Sequence, residues 1–179
     1  GHSTEDVISA LIHAAERGVK IKVMVDGMMG MVHMKGDLFY AMSAQPNIQV
    51  KVYNTPNLLM PWTINGRLHD KYLIADHTVM VLGGRNTYDY FLGDYIDEHE
   101  SYDRDLLVFN SAYEKKTNTD SVIFQVENYF DSIWNSPYSQ LWQDDEALLQ
   151  DEDIANQVTS LRAHYDTLKK ANPNWFVGY

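Results

Sequence analysis

Arg67-Leu68-His69-Asp70-Lys71-Tyr72-Leu73-Ile74-Ala75-Asp76, then Thr78-Val79-Met80-Val81-Leu82 and Gly83-Gly84-Arg85-Asn86, reads as a β-hairpin with chemistry at one end. Leu68 to Ala75 and Thr78 to Leu82 are the predicted strands, joined at Asp76-His77. Side chains on a strand alternate between faces, so His69 and Lys71 are expected on the same side. A cation beside an imidazole favours the neutral, nucleophilic form of the ring. Both groups suit a phosphate between them. Lysine supplies a cation and three donors, and histidine can attack phosphorus. The second strand ends in Gly83-Gly84, where missing side chains would let backbone approach a ligand closely. Asn86 then offers an amide N–H to a phosphoryl oxygen.

Outward from the hairpin, helical and strand patterns alternate. Thr4 to Glu16 is a predicted amphipathic helix with Val7, Ile8, Leu11, Ile12 and Ala15 on one stripe, Ser3 or Thr4 as its cap and Gly18 as its stop. Val19 to Val25 alternates strictly, with Val19, Ile21, Val23 and Val25 on one face of a strand. Helix, glycine, strand is the grammar of a layered α/β domain. A Met-rich loop at 28–31, a short helix from Asp37 to Ala44 and a strand marked by Ile48, Val50 and Val52 follow. Residues 54–66 read as loop, punctuated by Pro56, Pro61 and Gly66. A strand from Asp105 to Phe109, a helix from Val122 to Trp134 and a more polar helix from Asp153 to Ala171 complete the layout. The expected fold class is α/β, a mixed β-sheet flanked by helices in a single lobe over residues 4–140. Residues 141–179 read as an acidic segment and C-terminal helix leading to a further lobe, and Gly1-His2-Ser3 as a tag scar.

At 179 residues the chain is long enough for one domain with a proper core. Fourteen Lys and Arg against 25 Asp and Glu give a formal net charge of −11, which disfavours bulk nucleic acid and anionic lipid as partners. The absence of cysteine removes disulfides, thiolate metal sites and thiol nucleophiles together. No stretch approaches the ~18 apolar residues of a membrane helix. With the leader region outside the reading, localisation stays open, and a membrane-associated or periplasmic bacterial setting is compatible with it.

The hairpin pattern resembles the phospholipase D superfamily motif, H-x-K-x4-D-x6-G-[GS]-x-N, at every specified position. Leu11 to Ile21 is similar to the helix-to-strand segment upstream of the motif in bacterial members. Tyr90-Phe91, Tyr102 to Val108, and Phe130 with Trp134-Asn135-Ser136 are similar to the portion downstream. The likeness is closest to the cardiolipin-synthase and phospholipase-like branch. It implies a catalytic set of His69, Lys71 and Asp76, with His69 as nucleophile or general acid. Lys71 and Asn86, with the backbone at Gly84, would hold the phosphoryl oxygens. Asp76 reads more as support for the hairpin than as a reacting group. Asp105, or Asp103 two residues away, would orient the histidine's other ring nitrogen, the logic of a serine-protease triad. Family sites combine two such motifs, and His33-Met34-Lys35 fails as a second one because Tyr40 stands where its aspartate belongs. The second motif is therefore expected from another lobe or a second copy of the chain.

Other features read less sharply. Arg85 suits either a phosphate contact or a salt bridge to Asp103 or Asp105. His77 reads as a turn residue, and His2, His13, His99 and His164 lack the company of metal ligands. No metal or cofactor is called for, because the chemistry is acid–base and covalent. The Met cluster at 28–34 with Leu58, Leu59, Met60 and Trp62 admits loop packing over the sheet or an apolar lip for acyl chains. The expected function is a phosphodiesterase or phosphatidyltransferase acting on phospholipid through a phosphohistidine, with half of its site in this chain. A nuclease of the same superfamily and a non-catalytic scaffold lobe are the alternatives.

Overall fold

The first helix, α1 (His2–Glu16), starts two residues ahead of the expected Thr4. Its leading N–H groups are met from far along the chain, as Asp89 accepts from His2 N at 3.2 Å and Ser3 N at 2.8 Å. That long-range carboxylate does the work expected of Ser3 or Thr4, and Ser3 is buried. The other end closes as the glycine signal requires. Gly18 adopts φ +94°, and Gly18 N and Val19 N donate to Ala15 O (2.9 Å) and Ala14 O (3.2 Å). Val19 is thereby tied to the helix, and the strand begins later, as β1 (Ile21–Asp26).

The computed structural model describes residues 1–34, 36–57, 59–91, 101–112, 115, 118–142 and 145–176. Lys35, Leu58, His99 and Asp144, and the side chain of His33, lie outside the described part. Among the described residues, strand β2 (Ile48–Tyr53) pairs parallel with β1, Ile21 opposite Ile48 and Val25 opposite Val52. The hairpin supplies β3 (Tyr72–Ala75) and β4 (Val79–Leu82), and β5 (Leu106–Phe109) pairs antiparallel beside β4. A short β6 (Ser139–Leu141) runs antiparallel to the other edge of β2. The mixed α/β lobe thus carries two three-stranded sheets, β1-β2-β6 and β3-β4-β5.

The Met-rich stretch is helical, α2 (Gly27–His33), where a loop was expected. The reason is Asp26, whose side chain accepts from Met28 N and Met29 N and so caps the helix. Gly27 is required there, since a Cβ would sit 2.5 Å from Thr55 N. One side of the first sheet is covered by α1, α3 (Asp37–Ser43) and α5 (Glu152–Ala171). Ile8, Ile12, Ala41, Met42, Ile48, Val50, Ile154, Val158 and Leu161 form the core there. The C-terminal segment contributes directly to that core through α5.

Helix α4 (Val122–Trp134) connects the two sheets. Toward the first, Lys22 Nζ lies 3.2 Å from Asp131 and Lys51 Nζ donates to Trp134 O at 2.8 Å. Both ammonium groups stand within 5.4 Å of the Trp134 ring centroid. Toward the second, Phe130 meets Tyr72 edge-on and Phe124 stacks on His77, whose Nδ1 is 2.5 Å from Glu127. No described helix is long and apolar enough to cross a membrane.

Candidate active site

Residues 67–71 lie ahead of β3, so the expected strand is shortened from its N-terminal end. Instead of sheet pairing, side-chain tethers hold this segment. Asp26, at the end of β1 and only 7% exposed, accepts from Arg67 Nε at 2.9 Å, from Arg67 Nη2, and from Leu68 N at 3.0 Å. Burial pushes the Asp26 carboxyl up, but the hydrogen bonds from Arg67, Leu68 and Met29 outweigh it and hold it below the usual carboxylate range. The Arg67 guanidinium is correspondingly raised by its bond to Asp26. On the other flank, Tyr129 OH of α4 donates to Asp70 Oδ2 at 2.8 Å.

His69 is exposed and Lys71 half-buried. Lys71 Nζ donates one of its three hydrogens to the His69 carbonyl at 2.7 Å, and two remain for a ligand. Burial draws the Lys71 ammonium below the ordinary lysine range, with Asp70 opposing. Burial likewise pushes the Tyr72 phenol up to about 12, with Asp70 and Tyr129 adding to the effect. The Tyr129 phenol is raised first by its hydrogen bond to Asp70. Beyond β4 the hairpin closes through Gly83 N donating to Lys71 O at 3.1 Å. That bond sets Gly83 beside Lys71, and Asn86, half-buried, follows three residues on.

Asp76 is not brought together with this group. It sits at the apex of the hairpin with φ +51°, beside His77 at φ +57°, and Thr78 N closes the turn on Ala75 O at 2.9 Å. Two left-handed residues make the hairpin turn that matches strand twist, and aspartate tolerates that conformation. The length of β3 separates Asp76 from Lys71, so its contribution is to the turn.

The space left by the two glycines holds carboxylates, where close backbone approach to a ligand was expected. A Cβ on Gly83 would lie 1.8 Å from Asp105 Oδ1, and one on Gly84 would lie 2.1 Å from Asp103 Oδ2. Asp105 pairs with Arg85, Nε to Oδ2 at 3.1 Å, and Arg85 also reaches Asp103 O (3.2 Å) and Phe91 O (3.4 Å). Of the alternatives for Arg85, the structure takes the salt bridge. Asp105 is thus placed against Gly83 and Arg85, and Asp103 lies at the Gly84 backbone where a phosphate contact was expected.

Sequence reasoning missed Asp26 and Tyr129, which fix the histidine-bearing segment. The available signal was an acid with a glycine after it at the end of an alternating strand, Val25-Asp26-Gly27. Tyr129 carried no signal beyond its place on the α4 stripe. The loop before the motif is a built structure. Asn54, at φ +50°, donates through Nδ2 to Thr63 O and Gly66 O, both at 2.6 Å. Leu59, Met60, Trp62 and Ile64 project from it, exposed.

A family model described as "Cardiolipin synthase, PLD-like domain" matches residues 2–134. Cardiolipin synthase C of Escherichia coli strain K12 is 31% identical over 96 residues, which cover 49% of this chain and 20% of that protein. An uncharacterized protein of Helicobacter pylori strain J99 is 27% identical over 150 residues, covering 78% of this chain and 28% of the relative. Another, from Helicobacter pylori strain 26695, is 27% identical over 124 residues, covering 63% and 24%. The chain thus spans under a third of the length of each relative. With the motif hairpin and its flanking helix and strands all inside the matched region, the chain belongs to the cardiolipin-synthase, phospholipase-D-like domain family.

Proposed function

We propose that this chain supplies half of the active site of a phosphodiesterase or phosphatidyltransferase acting on phospholipid through a phosphohistidine. The observation that carries the reading is the Gly83 N to Lys71 O bond at 3.1 Å, which stitches the two parts of the motif together. His69, Lys71 and Asn86 are then the reacting end of one hairpin, and Asp76 is its far-end support. The His69 imidazole attacks phosphorus, a P–N bond forms, and the P–O bond to the leaving alcohol breaks. The departing oxygen takes a proton from an acid on the opposite side. Water or an acceptor alcohol then attacks phosphorus and gives its proton to the conjugate base of that acid, the P–N bond breaks, and the histidine is released. Lys71, with its two remaining donors, and the Asn86 amide hold the non-bridging oxygens through both steps.

A single imidazole cannot be both nucleophile and opposed acid in one in-line step. A second lobe, or a second copy of this chain, provides the other half. General acid help contributes ~10²–10⁴-fold in rate, so the isolated half is nearly inactive. The test is diesterase turnover on p-nitrophenyl phosphodiesters and on phospholipid, across protein concentration, for the wild-type chain and His69→Ala. We expect activity only where copies or lobes pair, and its loss in H69A with folding intact. Full specific activity in a proven monomer, or a variant retaining more than a small fraction of the rate, overturns the reading.

A further inference from the structure

We infer that Asn65-Gly66 is a covalent modification site, where the asparagine converts to aspartate and isoaspartate through a cyclic imide. Asparagine reacts this way when the next residue's backbone nitrogen reaches its side-chain carbonyl carbon, and a glycine there puts no Cβ in the path. Asn65 is the one asparagine of the chain that precedes glycine, and Asn110 and Asn135, each before serine, come next in order of crowding. The fold separates the three further. Asn110 is buried, its Nδ2 donates to His77 O at 3.0 Å and its Oδ1 accepts from Ala112 N at 3.0 Å. Asn135 Nδ2 donates to Asp131 O at 2.8 Å. Asn65 is exposed, and its side chain has no hydrogen-bond partner among the described residues.

The backbone around Asn65 is held at its neighbours and can yield at this one residue. Asn65 ends the 3-10 turn Pro61–Asn65. Turning its ψ toward ring closure opens the Gly66 N to Thr63 O bond, long at 3.3 Å and last in an exposed turn, and the Arg67 N to Asn65 O bond at 3.1 Å. The glycine is retained for a packing reason. A Cβ at residue 66 would lie 2.7 Å from Asn54 Nδ2, which donates to Thr63 O and Gly66 O. The labile pair therefore follows from how the loop closes. In the reaction, base removes the Gly66 N proton and that nitrogen bonds to Asn65 Cγ. The Cγ–Nδ2 bond breaks, and Nδ2 takes a proton from water and leaves as ammonia. Water then opens the ring. Breaking the new bond at Cγ leaves aspartate, and breaking the bond at the Asn65 carbonyl carbon leaves isoaspartate. Either product adds a negative charge four residues ahead of His69. Isoaspartate also adds a methylene to the main chain between Thr63 and Gly66, the residues whose carbonyls Asn54 Nδ2 joins.

The experiment keeps the folded chain warm at mildly alkaline pH, digests it with trypsin under mildly acidic conditions, and follows each asparagine by tandem mass spectrometry. The tryptic peptide 52–67 carries Asn54, Asn57 and Asn65, and its fragment ions tell them apart. Enzymatic methylation of isoaspartate reads the second product. We expect Asn65 to convert about tenfold or more faster than Asn110 or Asn135 in the folded chain, and faster still as alkali is added. Asn65→Gln lengthens the side chain by one methylene, disfavours the ring and should abolish the fast conversion, with an unchanged urea midpoint because the Asn65 side chain holds nothing. Conversion of Asn65 in the urea-unfolded chain but not in the folded one overturns the proposal. So do equal rates at Asn110 or Asn135, or a fast conversion in peptide 52–67 that persists in N65Q. The reaction consumes only water and needs no phosphodiester, so the proposal and the phosphodiesterase reading fail separately.

Discussion

Asp26→Ala should both destabilise the chain and loosen the histidine-bearing segment. One buried carboxylate caps α2 through Met28 N and Met29 N and holds Arg67 and Leu68 on the far side. Loss of an N-cap costs about 1 kcal/mol. Removing one partner of a buried ion pair costs ~3–5 kcal/mol, and the low end applies because the Arg67 side chain is about a third exposed. The groups share one carboxylate, so the sum is not additive, and about 3–4 kcal/mol is expected for the whole change. Asp26→Asn can keep the cap through its one oxygen but sets an amide N–H2 against the donors Leu68 N and Arg67 Nε and loses the charge, and about 2–3 kcal/mol is expected. The acid limb separates the two causes. A carboxyl held low in the folded state stabilises above its unfolded pKa of about 3.9, and that contribution is lost as pH falls through the lower folded value. Wild-type and D26N stabilities should therefore converge below about pH 4. The assay is urea denaturation from pH 3 to 7, with hydrogen exchange at Leu68 N–H reporting the local tether. A D26A cost below ~1 kcal/mol, or a D26N curve parallel to wild type through the acid range, would refute the reasoning.

Tyr129→Phe removes the donor to Asp70 and should cost about 0.5–1 kcal/mol in urea. Its NMR signature is a shifted Asp70 with α4 unchanged, and an undisturbed Asp70 resonance would count against the tether. Gly83→Ala places a methyl 1.8 Å from Asp105 Oδ1, so the Arg85 ion pair must open at about 1–3 kcal/mol. In an Asp105→Ala background the same substitution should cost distinctly less, and equal costs in the double-mutant cycle would show that the carboxylate is not what Gly83 accommodates.

Much of the architecture was legible because the local signals agreed with the packing. The α1 stripe, the left-handed Gly18 and the alternation of β2 each point to one structure, and α4 begins and ends where its apolar period does. The misses have a common cause in long-range contacts. Nothing near residue 2 announces that Asp89 will cap α1, and nothing near Met28 announces a helix except the acid before it. A three-residue β6 is too short to show a period. Helix α5 reads as polar, yet Ile154, Val158, Leu161 and Tyr165 recur at the spacing of one face and reach the core. At the site, the motif singles out His69, Lys71 and Asn86, while Asp26 and Tyr129, which tether the segment carrying the first two, had little local signal. Glycines 83 and 84 showed only that side chains were excluded, and the cause of the exclusion was two carboxylates some twenty residues away.

The electrostatics of the motif face bear on the proposal that one half is insufficient. An acidic chain that handles a phosphate has to keep its own carboxylates from repelling it. Asp26 is answered by Arg67 and Asp105 by Arg85, so both arginines within the 67–86 segment are already engaged. Asp70 is turned toward α4, where a neutral phenol meets it. Lys71 is then the cation that the described motif segment offers to an anion, and one of its donors is held by the His69 carbonyl. One ammonium and one amide can bind a phosphodiester monoanion, but they leave the leaving oxygen without a proton and half of the phosphoryl group without donors. On the proposed reading, the same carboxylates that tether the segment leave its positive charge just sufficient for one side of the phosphate, and a complementary hairpin facing His69 would supply the rest.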